Sequence, residues 1–87
     1  MAWTLEIEPK AEKALGKMAK HEGKRIVAQL RQVAAGENPR IKGRAMAGAY
    51  AGHWRYRVGD YRVIARIEDG RMVIVVVALG HRREVYR

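Results

Sequence analysis

An unbroken apolar segment near the end of this 87-residue sequence restricts its fold more than any other feature. Residues 72–79 read Met-Val-Ile-Val-Val-Val-Ala-Leu, with no polar side chain among them. A strand that is apolar at every position needs cover on both faces, which places it in the interior of a sheet. The segment is much shorter than the roughly 18 apolar residues of a membrane span. The sequence therefore predicts a folded, soluble domain built around this strand.

The first half of the chain predicts one strand and two helices. Apolar and polar residues alternate over residues 2–8, which is typical of a half-buried strand. Apolar stripes at spacings of three and four predict helices over residues 10–20 and 24–35, with a break at residues 21–23. We expect the two helices to form a hairpin that covers one face of the sheet.

The second half predicts a meander of three strands. After a loop at residues 37–48, strands are expected over residues 50–58, 61–68 and 71–79. The dipeptides between them, Gly59-Asp60 and Asp69-Gly70, suit two-residue hairpin turns. The central last strand needs a second neighbour, and the N-terminal strand is the one left to provide it. The predicted fold is α+β, a single domain over residues 1–87 in the order β-α-α-β-β-β, with four mainly antiparallel strands.

The charge of the chain indicates an anionic partner. Lys and Arg number 18 against 9 Asp and Glu, for a net charge of +9, and residues 40–87 hold 11 of these basic residues against 4 acidic ones. Such a field favours nucleic acid or another polyanion. The absence of Cys excludes disulfides, thiolate zinc sites and cysteine nucleophiles. The N-terminal residues do not resemble a signal peptide, so we expect a cytoplasmic location.

The turn at Gly59-Asp60 predicts which side chains share a face of the sheet. It sets Arg57 opposite Arg62, a like-charge pair that costs roughly 0.2–1 kcal/mol. The face under the helices then holds Trp54, Tyr56, Val58, Tyr61, Val63, Ala65 and Ile67. The other face holds His53, Arg55, Arg57, Arg62 and Arg66. This basic face predicts an anion site, although a solvated, charged surface is the simpler alternative.

Further basic residues flank this face in the sequence. The loop carries Arg40, Lys42 and Arg44, and Gly80 permits a sharp turn that brings the tail at residues 81–87 back across the face. An exposed basic loop and a frayed terminus are the alternatives for these segments. At the second hairpin, the opposite charges of Glu68 and Arg71 are expected to pair, which needs no function.

Two segments resemble a known group of proteins. Residues 54–63, Trp-Arg-Tyr-Arg-Val-Gly-Asp-Tyr-Arg-Val, and the ending Gly-His-Arg-Arg-Glu-Val-Tyr at residues 80–86 resemble the RelE/ParE superfamily of toxins from type II toxin–antitoxin systems. For a RelE-like member, the resemblance implies a ribosome-dependent endoribonuclease that cuts messenger RNA in the A site. It implies catalytic roles for Arg55, Arg62, Arg82 and Tyr86, with His53 or Arg57 as the alternatives to Arg55. RNA-binding roles are expected for His53, Arg57, Arg66, His81, Arg83, Arg40, Lys42 and Arg44.

The chemistry implied by the resemblance needs no metal or cofactor, because RNA supplies its own nucleophile in the 2′-OH. Arg62 and Arg82 are expected to hold the phosphate, since a guanidinium binds oxyanions with two parallel hydrogen bonds. Tyr86 is a candidate general base or stacking platform, and Arg55 or His81 a candidate proton donor. The resemblance also implies an acidic, partly disordered antitoxin as partner, with operator DNA contacted through that antitoxin.

Two other functions remain open at the level of sequence. ParE-like toxins share the fold and act on DNA gyrase, and fold alone does not separate them from ribonucleases. A non-catalytic module that binds RNA or the ribosome through a basic face is the third possibility.

Overall fold

The computed structural model describes residues 3–81, which form two helices on a five-stranded sheet. The elements are β1 (Thr4–Ile7), α1 (Pro9–Lys17), α2 (Lys20–Ala35), β2 (Arg44–Ala45), β3 (Trp54–Val58), β4 (Tyr61–Glu68) and β5 (Val73–His81). The strand order is β1-β5-β4-β3-β2, with β1 parallel to β5 and the other pairs antiparallel. The predicted α+β class is confirmed, with five strands instead of four.

The apolar strand β5 lies inside the sheet, as predicted. It pairs with β4 on one side and with β1 on the other, where Leu5 lies opposite Ile74. Ile74 and Val76 are fully buried against the helices, while Val73 and Val75 are buried on the other face. Cover on both faces explains why the strand has no polar residue before Gly80.

The core forms between the helices and one face of the sheet. Ala11 of α1 and Ile26 and Leu30 of α2 pack on Val63 and Val76. The predicted register between β3 and β4 is confirmed, with Arg57 opposite Arg62. Gly59 takes a φ of 59° in the turn, which a glycine adopts without a steric penalty.

The break between the helices is earlier than predicted. α1 ends at Lys17 and α2 begins at Lys20, so His21, Glu22 and Gly23 belong to the first turns of α2. The prediction was wrong here because the apolar stripe of α2 begins only at Ile26 and because one glycine within a helix costs only about 1 kcal/mol. Glu22 is held in this turn as the acceptor of a hydrogen bond from the Tyr61 hydroxyl.

Two predicted loop and strand boundaries were also wrong. The loop at residues 37–48 contains the short strand β2, and β3 begins at Trp54 instead of residue 50 because positive φ angles at Gly48 and Gly52 interrupt the extended backbone. At the second hairpin, Asp69–Arg71 form a 3₁₀ turn closed by Met72 with a φ of 52°.

That longer turn changes the predicted pairing at its base. Glu68 pairs with Val73 in the ladder instead of with Arg71. The expected ion pair still forms, at 2.6 Å between Arg71 Nη1 and Glu68 Oε1.

Within residues 3–81, no helix is both long and apolar enough to cross a membrane.

Candidate anion-binding site

The sheet face away from the helices divides into two regions of different charge. In the first, which we call the Arg–Glu patch, Arg66 and Arg71 alternate with Glu6, Glu8 and Glu68. Arg66 Nε lies 2.9 Å from Glu68 Oε2, and Arg71 Nη2 lies 3.1 Å from Glu6 Oε2. The hydrogen bonds from Arg66 and then Arg71 hold the pKa of Glu68 below its ordinary range. The positive charges of this patch therefore meet negative ones within the fold.

The second region is a recess of about 270 Å³, which we call the cationic recess. All of the residues that line it are basic: Lys42, Arg44, Arg55, Arg57 and Arg62. The ladder sets Arg44 opposite Arg55 and Arg57 opposite Arg62, so two like-charge pairs lie side by side on three neighbouring strands. Such like-charge pairs oppose folding, and a bound anion would offset that cost.

Arg62 is the residue of this recess with the clearest unmet hydrogen-bonding capacity. Its Nη1 atom is buried and has no hydrogen-bond partner among the residues that the structure describes. Opposite it, Arg57 donates from Nε to the Gly59 carbonyl oxygen only at 3.5 Å. A buried donor without an acceptor costs about 1–3 kcal/mol, and an anion that enters the recess would supply the acceptor.

The loop that supplies Lys42 and Arg44 is held by Tyr56. The Tyr56 hydroxyl donates a 2.6 Å hydrogen bond to the Pro39 carbonyl oxygen, and burial raises the pKa of this side chain to about 12. Gly43 lies against the Tyr56 ring so closely that a Cβ atom there would be 2.9 Å from Cε1. Sequence reasoning assigned Tyr56 only to the core. Gly43 was the available signal, because a glycine in a loop can mark a place where another group approaches the backbone closely.

Two of the predicted site residues lie outside the recess in ion pairs. Arg40 donates to both carboxylate oxygens of Asp69, at 3.0 and 2.6 Å, and lies 5.7 Å from the centre of the Trp54 ring. The hydrogen bond from Arg40 lowers the pKa of Asp69. Arg66 shares the basic face as predicted, but its guanidinium belongs to the Arg–Glu patch.

The two predicted histidines lie apart from each other. His53 precedes β3 and contacts the ring of Tyr50 edge to face, with centroids 5.8 Å apart. His81 ends β5 and packs on Tyr61 at 5.9 Å, beside Ala14 and Lys17 of α1 and so on the helix side of the sheet. The predicted turn at Gly80 and the placement of His81 on the basic face were wrong, because both residues continue β5 in its ladder with β4. The predicted residues Arg82, Arg83 and Tyr86 lie outside the described residues.

In the part of the chain that the structure describes, no three His, Asp or Glu side chains are grouped as metal ligands. The arrangement suits the binding of phosphate oxygens by guanidinium groups, with Arg62 on β4, Arg55 on the adjacent β3 and Lys42 in the loop before β2. The basic side chains of the recess supply a fixed positive field and several directed hydrogen-bond donors, which can bind an anion or an anionic transition state.

Comparisons with known proteins agree over nearly the whole chain. The family described as "ParE toxin of type II toxin-antitoxin system, parDE" matches residues 5–86. Toxin RelG of Mycobacterium tuberculosis is 29% identical over 90 residues, which covers 100% of this chain and 99% of RelG.

Solved structures give the same result. The toxin–antitoxin complex RelBE2 of M. tuberculosis contains a chain with a TM-score of 0.74 and 25% identity, covering 97% of this chain and 95% of that one. Isolated Escherichia coli toxin RelE matches with a TM-score of 0.76 and 25% identity, over 98% of this chain and 92% of that one. The archaeal RelE–RelB complex of Pyrococcus horikoshii contains a chain that matches with a TM-score of 0.74 and 25% identity, over 98% of this chain and 100% of that one.

Proposed function

Because this chain belongs to the family of ParE toxins of type II toxin–antitoxin systems, within the RelE/ParE superfamily, we propose that it stops translation by cutting messenger RNA. The observation that carries this proposal is the cationic recess, where five basic side chains surround about 270 Å³ and Arg62 keeps a buried donor without an acceptor. A phosphodiester is an oxyanion that guanidinium groups bind through two parallel hydrogen bonds.

The proposed reaction is an internal transesterification. The 2′ oxygen of the ribose forms a bond to phosphorus while the bond from phosphorus to the 5′ oxygen breaks. The 2′ proton passes to a base on the enzyme, and the leaving 5′ oxygen takes a proton from an acid on the enzyme, for which Arg55 is the candidate within the recess. The products are a 2′,3′-cyclic phosphate and a 5′-hydroxyl, so no water is consumed in this step. No metal or other cofactor enters this proposed scheme.

We assign roles to the residues in this scheme as follows. Arg62 and Arg55 bind the phosphate and the negative charge that develops on it, which is where a preorganised donor accelerates a reaction most. Removal of one such donor slows catalysis by about 10²–10³-fold in other enzymes. Arg82 is proposed as a second phosphate ligand and Tyr86 as general base or stacking platform, as the resemblance implies.

The ribosome is the proposed source of substrate selection. Contacts from basic side chains to phosphate position a nucleic acid but carry no sequence information. The cationic recess offers only such contacts. We therefore propose that the ribosomal A site presents the codon to the recess, and that the toxin supplies the charge and the proton transfer.

An antitoxin is the proposed inhibitor. The solved relatives RelBE2 and archaeal RelE–RelB are toxin–antitoxin complexes, which supports a cognate partner for this chain. We propose that the partner is acidic and partly disordered, and that its carboxylates cover the cationic recess. Operator DNA would then be contacted through the antitoxin.

A reconstituted translation system tests the proposal. Messenger RNA is incubated with stalled ribosomes and toxin, and the ends are mapped by primer extension. The wild-type protein is expected to cut within the A-site codon, and Arg55→Met and Arg62→Met are expected to cut at least 100-fold more slowly. The control Arg71→Met, whose charge is paired in the Arg–Glu patch, is expected to cut at the wild-type rate. Equal rates for all four proteins would refute the assignment.

A second candidate follows from the family description itself, which names ParE toxins. If the chain acts on DNA gyrase, it will block supercoiling of plasmid DNA or leave gyrase-dependent breaks, and messenger RNA will stay intact in the translation assay. Binding to ribosomes without any cut would instead indicate a non-catalytic module.

A further inference from the structure

A second depression adjoins the cationic recess, and its walls are of a different chemical kind. It measures about 550 Å³ and is lined by Arg44, Ala45, Met46, Ala47, Tyr50 and Arg55. Arg44 and Arg55 also line the cationic recess, so the two depressions share a wall. One side of this wall offers only positive charge, and the other offers an aromatic ring, a thioether and two small apolar side chains.

The aromatic ring in this groove is held in place by its own loop. Tyr50 ends the 3₁₀ turn Gly48–Tyr50, and its carbonyl oxygen accepts a 2.9 Å hydrogen bond from the backbone N–H of His53. The rings of Tyr50 and His53 meet edge to face, 5.8 Å apart and at 80°. Gly48 and Gly52 bracket the turn with positive φ angles. The loop thus presents a positioned ring, at a place where β3 had been expected to begin.

Tyr50 is partly exposed and lines the groove beside small side chains. Ala45 and Ala47 are small, and the backbone beside them is held by a 3.0 Å hydrogen bond from the Met46 N–H to the His53 carbonyl oxygen. An aromatic face beside cationic side chains is the combination that binds single-stranded nucleic acid, because bases stack on the ring while phosphates contact the cations.

We propose that this groove is a nucleobase subsite. It would hold a base of the RNA whose neighbouring phosphate occupies the cationic recess, with Tyr50 as the stacking surface. This inference rests on the proposed function, since it requires RNA in the recess. Stacking tolerates any base, so the subsite is expected to add affinity with little base selectivity.

The test compares two ligands of equal charge. One is a fluorescent RNA trinucleotide with 2′-O-methyl groups, which cannot be cut, and the other is an abasic trimer with the same phosphates. Tyr50→Ala and Tyr50→Leu are expected to raise the Kd of the trinucleotide by about 5- to 150-fold, the range for loss of one base–aromatic stack, and to leave the abasic trimer unchanged. Tyr50→Phe, which keeps the ring, is expected to bind as the wild type does.

The outcomes separate the subsite from the proposed function. If Arg55→Met and Arg62→Met weaken the abasic trimer while Tyr50→Ala leaves RNA affinity unchanged, the subsite is refuted and the phosphate site stands. An equal loss for both ligands in Tyr50→Ala and Tyr50→Leu would also refute it, because the ring would then act only on the fold. If the two arginine variants bind both ligands normally, the proposed function fails first.

Discussion

The charge arrangement of the cationic recess predicts that removing Arg62 will make the protein more stable. Arg62 lies directly opposite Arg57 in the ladder, and its Nη1 atom is buried without a partner among the described residues. Relief of the like-charge pair is worth roughly 0.2–1 kcal/mol. Relief of the unsatisfied donor adds about 1 kcal/mol, the low end of its range, because the side chain is only half-buried.

We therefore expect Arg62→Met to raise the free energy of unfolding by about 1–2 kcal/mol, since Met keeps the length and volume of the aliphatic stem. For a domain of this size, each kcal/mol corresponds to about 4–8 °C in Tm. Urea denaturation followed by circular dichroism measures the change at 50 mM and at 1 M NaCl. Screening shortens the Debye length to about 3 Å at 1 M salt, so the charge component should disappear and the desolvation component should remain.

The matched control is Arg71→Met, which removes the same charge from the same face. Arg71 contacts Glu6 and Glu68, so its loss is expected to leave stability unchanged or slightly lower. A stability loss in Arg62→Met equal to that of the control would show that Arg62 is a structural cation, and would refute the argument that the recess is kept charged at the expense of stability.

Three further predictions concern the loop and the recess. Gly43→Ala is expected to lower the free energy of unfolding, measured by urea denaturation, by about 1–3 kcal/mol, because the added methyl group overpacks the Tyr56 ring. As a control, Gly16→Ala, in open space on α1, is expected to raise it by about 0.5–1 kcal/mol. Burial raises the pKa of Tyr56 to about 12 from an ordinary value of about 10, so folding stability should fall as the pH rises from about 10 to about 12. Tyr56→Phe should lose less stability over that interval, although it lacks the hydrogen bond to Pro39 at neutral pH. The logarithm of RNA affinity should fall with the logarithm of salt concentration, and the slope of Arg62→Met should be shallower by about 0.7, the value for one phosphate contact on a single strand.

Local pattern was enough to predict the central architecture. The apolar run identified β5, its need for two neighbours predicted the pairing with β1, and one turn dipeptide set Arg57 opposite Arg62. Each of these inferences depends on residues close in sequence or on a strand that cannot be exposed. The basic face of the candidate site followed directly from that register.

The features that were missed depend on contacts between distant residues. Arg66 was expected among the basic residues that face an anion. Besides the nearby Glu68, Glu8 between β1 and α1 lies 3.9 Å from its Nη2 across β5, a contact that joins residues far apart in the sequence. Strand β2 has only two residues and no pattern of its own, and it pairs with β3 where the Tyr56 contact with Pro39 holds the loop. The groove around Tyr50 arises from a turn bracketed by two glycines, which sequence reasoning had assigned partly to a strand.

We propose that this chain cuts RNA through attack by the 2′-OH within the cationic recess. The most direct test is a stalled ribosome whose A-site codon carries a single 2′-deoxynucleotide immediately 5′ to the phosphate at which the unmodified message is cut, so that the attacking 2′-OH is missing. We expect a 2′,3′-cyclic phosphate and a 5′-hydroxyl from the unmodified message, and no cut at the deoxy position. Cutting at the deoxy position, or an intact unmodified message together with inhibited gyrase, would contradict it.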